Sequence, residues 1–254
     1  MTVPHSFVQV FLTASYDKTV RAWSAGGAGR SARPGLFWSG SGAHKAPILC
    51  LDAKGDVACS GDRGGSIGSW DVHNGVQVLN VKGAHKGHVT AMLCPRDTGN
   101  GSTGLIMSGG QDGMLRLWDT RIAGAGGSSA VGQVKAHVVD GVGTGAVVAI
   151  KSSPCREHCI ISAGADRMLR VFDTRTYKCI HELGGHKDFI YSAEVFGSAV
   201  VSGGGDGMML VHNHVSGETL YGLGANEHAV RCIAATSNSL VAAGDDGNAL
   251  VYYF

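Results

Sequence analysis

The chain has little charge and little proline: 16% of its 254 residues are charged and five are proline. Long exposed helices are rich in Glu and Lys, so a helical bundle is disfavoured. A formal net charge of +1 gives no basic field of the kind that nucleic-acid binders carry, and we expect no nucleic-acid partner. No apolar run approaches the ~20 residues that cross a bilayer, and the first residues lack a secretory signal pattern, so we expect no membrane association.

The placement of the cysteines indicates a reducing compartment. There are seven cysteines, an odd number, and several lie inside apolar runs such as "ILCL" around Cys50 and "VACS" around Cys59. Buried free thiols behave as small hydrophobic residues in intracellular proteins. We therefore expect an intracellular protein, cytoplasmic, nuclear or both.

Glycine is abundant instead, and the sequence repeats itself. Forty glycines fit short strands joined by tight turns, and "IMSGGQDGMLRLWDTR" at 106–121 returns as "IISAGADRMLRVFDTR" at 160–175. Six units end near Trp23, Trp70, Trp118, Phe172, His212 and Tyr252. Before each anchor stand an apolar pair, small residues, an acidic turn and an alternating segment, which together predict a β-hairpin.

This pattern resembles the WD-repeat family of β-propellers, in which each unit of ~40 to 45 residues forms one four-stranded blade. The resemblance implies an all-β fold and a single domain over residues 1–254, with six recognisable repeats of which the first is incomplete. Two alternatives remain for ring closure. The segment "TVPHSFVQV" at 2–10 closes the ring, or the chain is a seven-bladed parent shortened at its N-terminus, which we favour.

The resemblance also implies a hydrogen-bonded network of His, Ser or Thr, Asp and Trp in each blade. The third unit has all four members, and other units have most of them. The expected members are His44, Ser60, Trp70, His85, Ser108, Asp112, Trp118, His137, Ser162, Asp166, His186, Ser202, Asp206 and Asp246.

Two units depart from that pattern. In the second, Gly64 stands at the turn position and Asp62 lies two residues earlier, so we expect His44 to lack its carboxylate partner. In the sixth, Asn226 replaces the histidine and Ala242 the serine. We expect these two blades to be the least stable. The Gly- and Ser-rich segments at 24–35, 121–137 and 137–150 are predicted to be loops.

The residue types that can catalyse reactions or bind metals are not arranged here in a way that predicts either function. A Ser–His–Asp trio such as Ser108, His85 and Asp112 recurs blade after blade, whereas a catalytic triad occurs once and needs an exposed nucleophile. Metal-binding residue types occur as Cys155, His158 and Cys159 in "PCREHC", and as His212 and His214 in "HNH". Neither group has the second ligand pair of a structural zinc site. We expect no enzyme activity and no cofactor.

Basic residues follow the repeat histidines in three units, as Lys45, Lys86 and Lys187. In the resembled fold this loop lies on the face around the central channel, where Arg63 from a neighbouring turn joins them. A group of cations there suits an acidic or phosphorylated peptide. The alternative is that these side chains only keep the protein soluble.

Arginine ends the two repeated lines, "WDTR" at Arg121 and "FDTR" at Arg175. Both resemble the WDxR box through which some WD-repeat proteins dock on the adaptor of a cullin-RING ubiquitin ligase. The sequence therefore predicts a non-catalytic protein–protein interaction scaffold, with a ligase substrate receptor as the alternative and an enzyme or enzyme subunit as the less favoured class.

Overall fold

The computed structural model of the chain describes residues 10–24, 35–94, 104–121, 130–139, 143–224, 226–236 and 238–253. These residues form six antiparallel sheets of three or four strands and one two-stranded hairpin. The described part contains no α-helix, and so none long and apolar enough to cross a membrane. The expected all-β propeller architecture with six repeats is confirmed.

The strands follow one another in chain order within each sheet. The first sheet has β1 (Val10–Ala14), β2 (Val20–Ser24) and β3 (Gly35–Gly40). The second has β4 (Ile48–Lys54), β5 (Val57–Asp62), β6 (Ile67–Asp71) and β7 (Gln77–Val81). The third has β8 (Val89–Leu93), β9 (Leu105–Gly110), β10 (Met114–Asp119) and β11 (Gly132–Lys135).

A short hairpin of β12 (Val138–Val139) and β13 (Gly143–Thr144) leads into the second half of the fold. The fourth sheet has β14 (Val147–Ser152), β15 (Cys159–Gly164), β16 (Leu169–Asp173) and β17 (Lys178–Leu183). The fifth has β18 (Ile190–Phe196), β19 (Ala199–Gly204), β20 (Met208–Asn213) and β21 (Glu218–Gly224). The sixth has β22 (Val230–Ala235), β23 (Ser239–Gly244) and β24 (Ala249–Tyr253).

The hairpin between the second and third strands of each sheet is coded locally. Asp112 and Gly113 form the turn between β9 and β10, and Gly113 has a φ of 70°, a left-handed conformation that glycine adopts without steric cost. Leu115 and Leu117 on β10 are buried while the alternating Arg116 is half-buried. The alternation places one row of side chains in the core between neighbouring sheets.

The sheets stand side by side in an arc. The first strands of neighbouring four-stranded sheets contact one another. In the same way, β1 of the first sheet contacts β4 of the second. The core lies between the sheets, as where Val89, Ile106 and Trp118 pack together with residues of β5 and β7. Among the described residues, no comparable contact joins β22–β24 to β1–β3. Residues 2–9 of the suggested closing segment lie outside the described residues.

The prediction of loops at 121–137 and 137–150 is partly wrong. Gly132–Lys135 is the fourth strand of the third sheet and pairs with β10 from Met114 to Leu117. Its Val134 packs against the core, which gives this short segment the buried face that a strand needs. Residues 122–129 and 140–142 of those segments lie outside the described residues, as do residues 25–34 of the first predicted loop.

Candidate functional site

The topology brings the repeat histidines and aspartates to one end of the sheets, here called the histidine end. In an antiparallel sheet whose strands follow one another in chain order, the start of the first strand and the turn between the second and third strands lie at the same end of the sheet. Each histidine precedes a first strand or the β12–β13 hairpin that leads into one, and each aspartate lies at or next to that turn. The two residue types therefore meet, although up to 29 positions separate them.

The third sheet shows the full network. Trp118 Nε1 donates to Ser108 Oγ at 2.9 Å, Ser108 Oγ lies 2.7 Å from His85 Nε2, and His85 Nδ1 lies 2.8 Å from Asp112 Oδ1. The indole is a donor only and the carboxylate an acceptor only, so the serine hydroxyl donates to Nε2 and Nδ1–H donates to the aspartate. The chain of hydrogen bonds thus fixes the tautomer of His85.

The network also controls the charges of its members. Burial, the largest influence, lowers the pKa of the His85 imidazole despite the opposing hydrogen bond to Asp112. Burial alone would raise the pKa of Asp112, but hydrogen bonds from His85, the Lys86 N–H and Arg116 outweigh it, and the pKa is lowered. A neutral histidine therefore donates to an ionised aspartate.

Versions of the network occur in the second, fourth and fifth sheets. In the fourth, His137 lies 2.8 Å from both Ser162 Oγ and Asp166 Oδ1, and burial of Asp166 is outweighed by hydrogen bonds from His137 and Arg170 that lower its pKa to about 2. In the fifth, His186 Nε2 lies 2.9 Å from Ser202 Oγ and His186 Nδ1 lies 3.1 Å from Asp206. Phe172 of the fourth sheet has no indole donor, so that network ends at the serine.

The expectation that His44 lacks a carboxylate partner is wrong. Asp62 Oδ2 lies 2.9 Å from His44 Nδ1, and Asp62 Oδ1 accepts the N–H groups of Gly64 and Ser66 at 2.8 Å each. His44 Nε2 and Trp70 Nε1 both reach Ser60 Oγ, at 2.7 and 3.0 Å. The second sheet therefore has all four members, and the reason to expect a weak second blade disappears.

A glycine at the alternative position explains why the aspartate of the second sheet can stand two residues earlier than that of the third. In the third sheet, a Cβ at Gly110 would overlap His85 Nδ1 and lie 2.9 Å from Asp112 Oδ1. Asp62 occupies the position that Gly110 has, and Gly64 the position of Asp112. The same pocket beside the histidine is thus filled from either position, provided that the other is glycine. A Gly-x-Asp sequence that becomes Asp-x-Gly is the signal for this exchange.

The fifth and sixth sheets depart from the network in different ways. His212, at the Trp position, is buried and its Nδ1 pairs with Thr219 Oγ1 at 2.9 Å. In the sixth, Asn226 Nδ2 donates to Asp246 Oδ1 at 2.7 Å, while the buried Asn226 Oδ1 has no hydrogen-bond partner among the described residues. Ala242, at the serine position, is fully buried.

Completing the sixth network should stabilise the protein. In the double variant Asn226→His, Ala242→Ser, the introduced imidazole can donate to Asp246 and accept from the introduced hydroxyl, and the unpaired amide oxygen is removed. We expect the free energy of unfolding in urea to rise by about 1 kcal/mol. The matched control is Ala242→Ser alone, which buries a hydroxyl without its partner and should lower stability by about 1 kcal/mol. Equal losses in both variants would refute the design.

Sequence reasoning missed two kinds of network residue. Thr13 accepts the Trp23 indole N–H at 2.8 Å and so takes the serine position in the first sheet. An arginine four residues after the aspartate pairs with it in three sheets, at 2.9 Å or less. These pairs are Asp17–Arg21, Asp112–Arg116 and Asp166–Arg170. The recurring D-x-x-x-R spacing is the signal that identifies them.

The predicted basic residues Lys45, Arg63, Lys86 and Lys187 all lie at the histidine end, and all four are exposed. Backbone hydrogen bonds join three of their loops: Arg63 N–H donates to Pro47 O at 2.8 Å and His85 N–H donates to Gly65 O at 3.1 Å. Lys45, Arg63 and Lys86 therefore belong to one continuous surface on the second and third sheets, here called the basic surface. None of its side chains forms an ion pair within the described part of the chain.

Arg121 and Arg175 lie at the opposite end, after the third strands of their sheets, and both are 66% exposed. Each guanidinium is bound at two points by the aspartate two residues before it, Arg121 by Asp119 and Arg175 by Asp173. These ion pairs lower the pKa of Asp119 and raise that of Arg121. Both guanidinium groups are therefore exposed, as a docking residue has to be, but each is already engaged in an ion pair within the chain.

The serines of the network are not placed for nucleophilic attack. Ser60, Ser108, Ser162 and Ser202 are fully buried, and Ser60 and Ser108 each accept an indole N–H while contacting a histidine. Attack on a substrate needs an accessible oxygen. Within the described ranges, no three His, Cys, Asp or Glu side chains come together in a metal-holding group.

Comparisons with known proteins agree with the fold. A family model described as "WD domain, G-beta repeat" matches residues 76–119. The "Ribosome biogenesis protein WDR12 homolog" of Chlamydomonas reinhardtii is 29% identical over 190 residues, which are 70% of this chain and 40% of that protein. The "Diphthine methyltransferase" of Homo sapiens is 38% identical over 74 residues, 29% of this chain and 14% of that protein. The chain thus spans less than half of the length of these relatives.

Among solved structures, the chain is similar to the crystal structure of the computationally designed Ika8 protein. The TM-score is 0.73 at 22% sequence identity, and the match covers 96% of this chain and 68% of that one. A likeness at this identity shows the fold alone.

Proposed function

We propose, from the premise that the chain belongs to the WD-repeat family, that it is a non-catalytic scaffold whose basic surface binds an acidic or phosphorylated segment of a partner protein. The observation that carries the proposal is the set of exposed, internally unpaired cations on one continuous surface. Two other arginines at the histidine end are neutralised within the chain: Arg231 is held by Asp245 at 2.6 Å and Arg116 by Asp112 at 2.9 Å. Lys45, Arg63 and Lys86 keep their charge for an external anion.

The carboxylates of the second and third sheets favour this assignment. Asp62 is buried, and Asp112 is bound to His85, to Arg116 and to the Lys86 N–H. Neither side chain stands exposed beside the cations. In the fifth sheet, by contrast, the exposed Asp188 follows Lys187 directly, which weakens the local positive potential there.

Exposed apolar side chains at the same end add contact area for a peptide. Tyr16 is 67% exposed in the turn between β1 and β2, Leu49 is 38% exposed at the start of β4, and Phe189 is 51% exposed just before β18. Apolar and aromatic groups next to cations suit a segment in which acidic or phosphorylated residues alternate with apolar ones.

The test uses a fluorescein-labelled peptide of ten glutamates as the probe, with a peptide of ten glutamines beside it. For the variant Lys45→Glu, Arg63→Glu, Lys86→Glu, we expect the fluorescence anisotropy titration to show at least about tenfold weaker binding of the glutamate peptide, because each reversal places like charges together. Binding to the unchanged protein should weaken with salt, since the Debye length is about 8 Å at physiological ionic strength.

The matched control reverses three exposed cations at the opposite end: Lys54→Glu, Arg156→Glu, Lys178→Glu. Both triple variants change the net charge equally, so a general charge effect lowers affinity in both alike. Equal losses, or equal binding of the two peptides by the unchanged protein, would remove the proposal and leave the lysines with their solubility role.

The relatives suggest a setting for the scaffold. Proteins named for ribosome biogenesis align with between 51% and 70% of this chain, the Chlamydomonas one with 70%. We infer a role in assembling protein complexes of that process inside the cell; the seven cysteines are free thiols in the structure, as is usual for intracellular proteins. Recovery of ribosome assembly factors with the tagged chain, lost in the basic-surface variant and kept in the control variant, is the expected result.

A receptor role in a cullin-RING ligase is the second candidate, and one observation favours it: Arg121 and Arg175 are both exposed at the same end of neighbouring sheets. Their internal ion pairs weigh against it, because docking would have to compete with Asp119 and Asp173. This role remains a prediction from the resemblance of "WDTR" and "FDTR" to the docking box.

A further inference from the structure

Two thiols meet between the second and third sheets. Cys59 lies within β5, Cys94 follows the last residue of β8, and their Sγ atoms are 3.0 Å apart. Both residues are buried, Cys59 completely and Cys94 with 5% exposed. An S–S bond is about 2.05 Å long, so bond formation needs an approach of about 1 Å.

Several contacts hold Cys94 in this position. Its N–H donates to Asp52 Oδ2 at 2.7 Å, which ties the end of β8 to β4 of the neighbouring sheet. Its Sγ lies 3.6 Å from Asp52 O and 3.8 Å from Val57 O. A thiol donates one hydrogen at a time, so a sulfur lone pair of Cys94 remains for Cys59.

We propose that Cys59 and Cys94 are an oxidation site, at which a peroxide converts the two thiols to a disulfide that links the second and third sheets covalently. In the first step, the Cys94 sulfur attacks one peroxide oxygen, the O–O bond breaks, and a sulfenic acid and one water form. In the second, the Cys59 sulfur attacks the Cys94 sulfur, the S–O bond breaks, and water leaves with the Cys59 proton. Two electrons pass from the thiols to one hydrogen peroxide, which becomes two waters.

The order of the two steps follows from the positions of the sulfurs. Cys94 ends its strand and retains some exposure, whereas Cys59 is enclosed among apolar side chains of the same cluster, such as Val89 and Ile106. Burial, together with the neighbouring Cys94 thiol, raises the pKa of Cys59 well above its ordinary value, which disfavours its thiolate as the first nucleophile.

The disulfide would stabilise the contact between the second and third sheets. Neighbouring sheets are otherwise joined by side-chain packing and a few hydrogen bonds, so a bond from β5 to the end of β8 prevents the two sheets from separating during unfolding. The closed loop has about 35 residues, a length at which a disulfide restricts the unfolded chain substantially. We expect the urea midpoint of the oxidised protein to rise by about 1 M.

The experiment uses the full chain with the three exposed cysteines changed, Cys155→Ser, Cys179→Ser and Cys232→Ser, so that links between molecules do not form. The folded protein is treated with hydrogen peroxide, its remaining thiols are alkylated in denaturant, and peptides are mapped by mass spectrometry. We expect a linked pair of peptides containing Cys59 and Cys94, two fewer alkylated thiols, and full reversal by dithiothreitol.

The control is Cys50→Ala, which removes a nearby half-buried thiol of the same cluster and should leave the link intact. Cys94→Ala should abolish the link. The parent protein keeps both Cys59 and Cys94, so its result decides the test even if the Cys94→Ala variant misfolds. Complete alkylation of the peroxide-treated parent, a link through Cys50 or Cys159, or irreversible oxidation of Cys94 without a link would each overturn the proposal.

Discussion

Asp62→Ala is expected to lower the free energy of unfolding by about 3 kcal/mol. The carboxylate is 1% exposed and accepts three hydrogen bonds, from the His44 imidazole and from the N–H groups of Gly64 and Ser66. Removing it leaves the buried imidazole without its acceptor, and an unpaired buried donor costs about 1 to 3 kcal/mol. The two backbone donors add to that loss.

Urea denaturation of Asp62→Ala should be compared with that of Asp17→Ala. Asp17 belongs to the corresponding turn of the first sheet, but its side chain is 43% exposed and its partners can turn to water. We expect Asp17→Ala to cost less than about 1 kcal/mol. Similar losses in the two variants would show that the carboxylate beside His44 is not buried as described.

A rescue variant tests the glycine exchange itself. Asp62→Gly with Gly64→Asp moves the carboxylate to the position that it has in the third, fourth and fifth sheets, next to a glycine that leaves room for it. This double variant should recover most of the stability that Asp62→Ala loses. A double variant as unstable as Asp62→Ala would mean that the two positions are not interchangeable.

The sequence predicts the sheets well because each hairpin is coded within a short stretch. The apolar pair, the acidic turn and the alternating segment before Trp118 are enough to place β9 and β10, and the same pattern places five further hairpins. The third-sheet network follows from the same stretch plus one preceding histidine. Features of this kind depend on neighbours along the chain, and they repeat.

Features that depend on distance or side-chain reach could not be predicted in the same way. Aligning the second unit on Trp70 puts Gly64 at the turn position and Asp62 two residues earlier, and counting positions alone does not reveal that a side chain two residues earlier reaches His44. The contact of Cys59 with Cys94 joins separate sheets, and nothing local in either stretch indicates it. Likewise, the hydrogen bond between His212 and Thr219 forms because the register of β20 and β21 places the two residues opposite each other.

Lowering the pH from 7 to 4 is expected to reduce the free energy of unfolding by about 3 kcal/mol through His212. Burial, followed by repulsion from His186, lowers the pKa of His212 from 6.5 to about 4. In this range the unfolded chain takes up a proton at this residue and the folded chain does not, so acid favours unfolding. The stabilisation is complete above pH 6.5 and is lost as the pH falls to 4, and each pKa unit corresponds to about 1.4 kcal/mol.

Other titratable groups also change the stability with pH, the histidines in the same pH range as His212 and the aspartates at lower pH. Burial also lowers the pKa values of His85 and His214, which adds to the loss between pH 6.5 and 4. The lowered pKa values of Asp112 and Asp166 act only below the ordinary carboxyl value of 3.8, where the folded chain holds its carboxylates ionised longer than the unfolded chain does. Urea midpoints measured between pH 7.5 and 4.5 therefore isolate the histidines.

Two reciprocal variants assign the effect to one position in the blade. His212→Phe puts into the fifth sheet the ring that the fourth sheet already has at Phe172, and it should flatten the pH dependence above pH 4 by up to about 3 kcal/mol. Phe172→His introduces an imidazole at a site that is 4% exposed, and should make the dependence steeper. An unchanged slope in His212→Phe would show that the imidazole is protonated in the folded chain as readily as in the unfolded one, and that acid instability arises elsewhere.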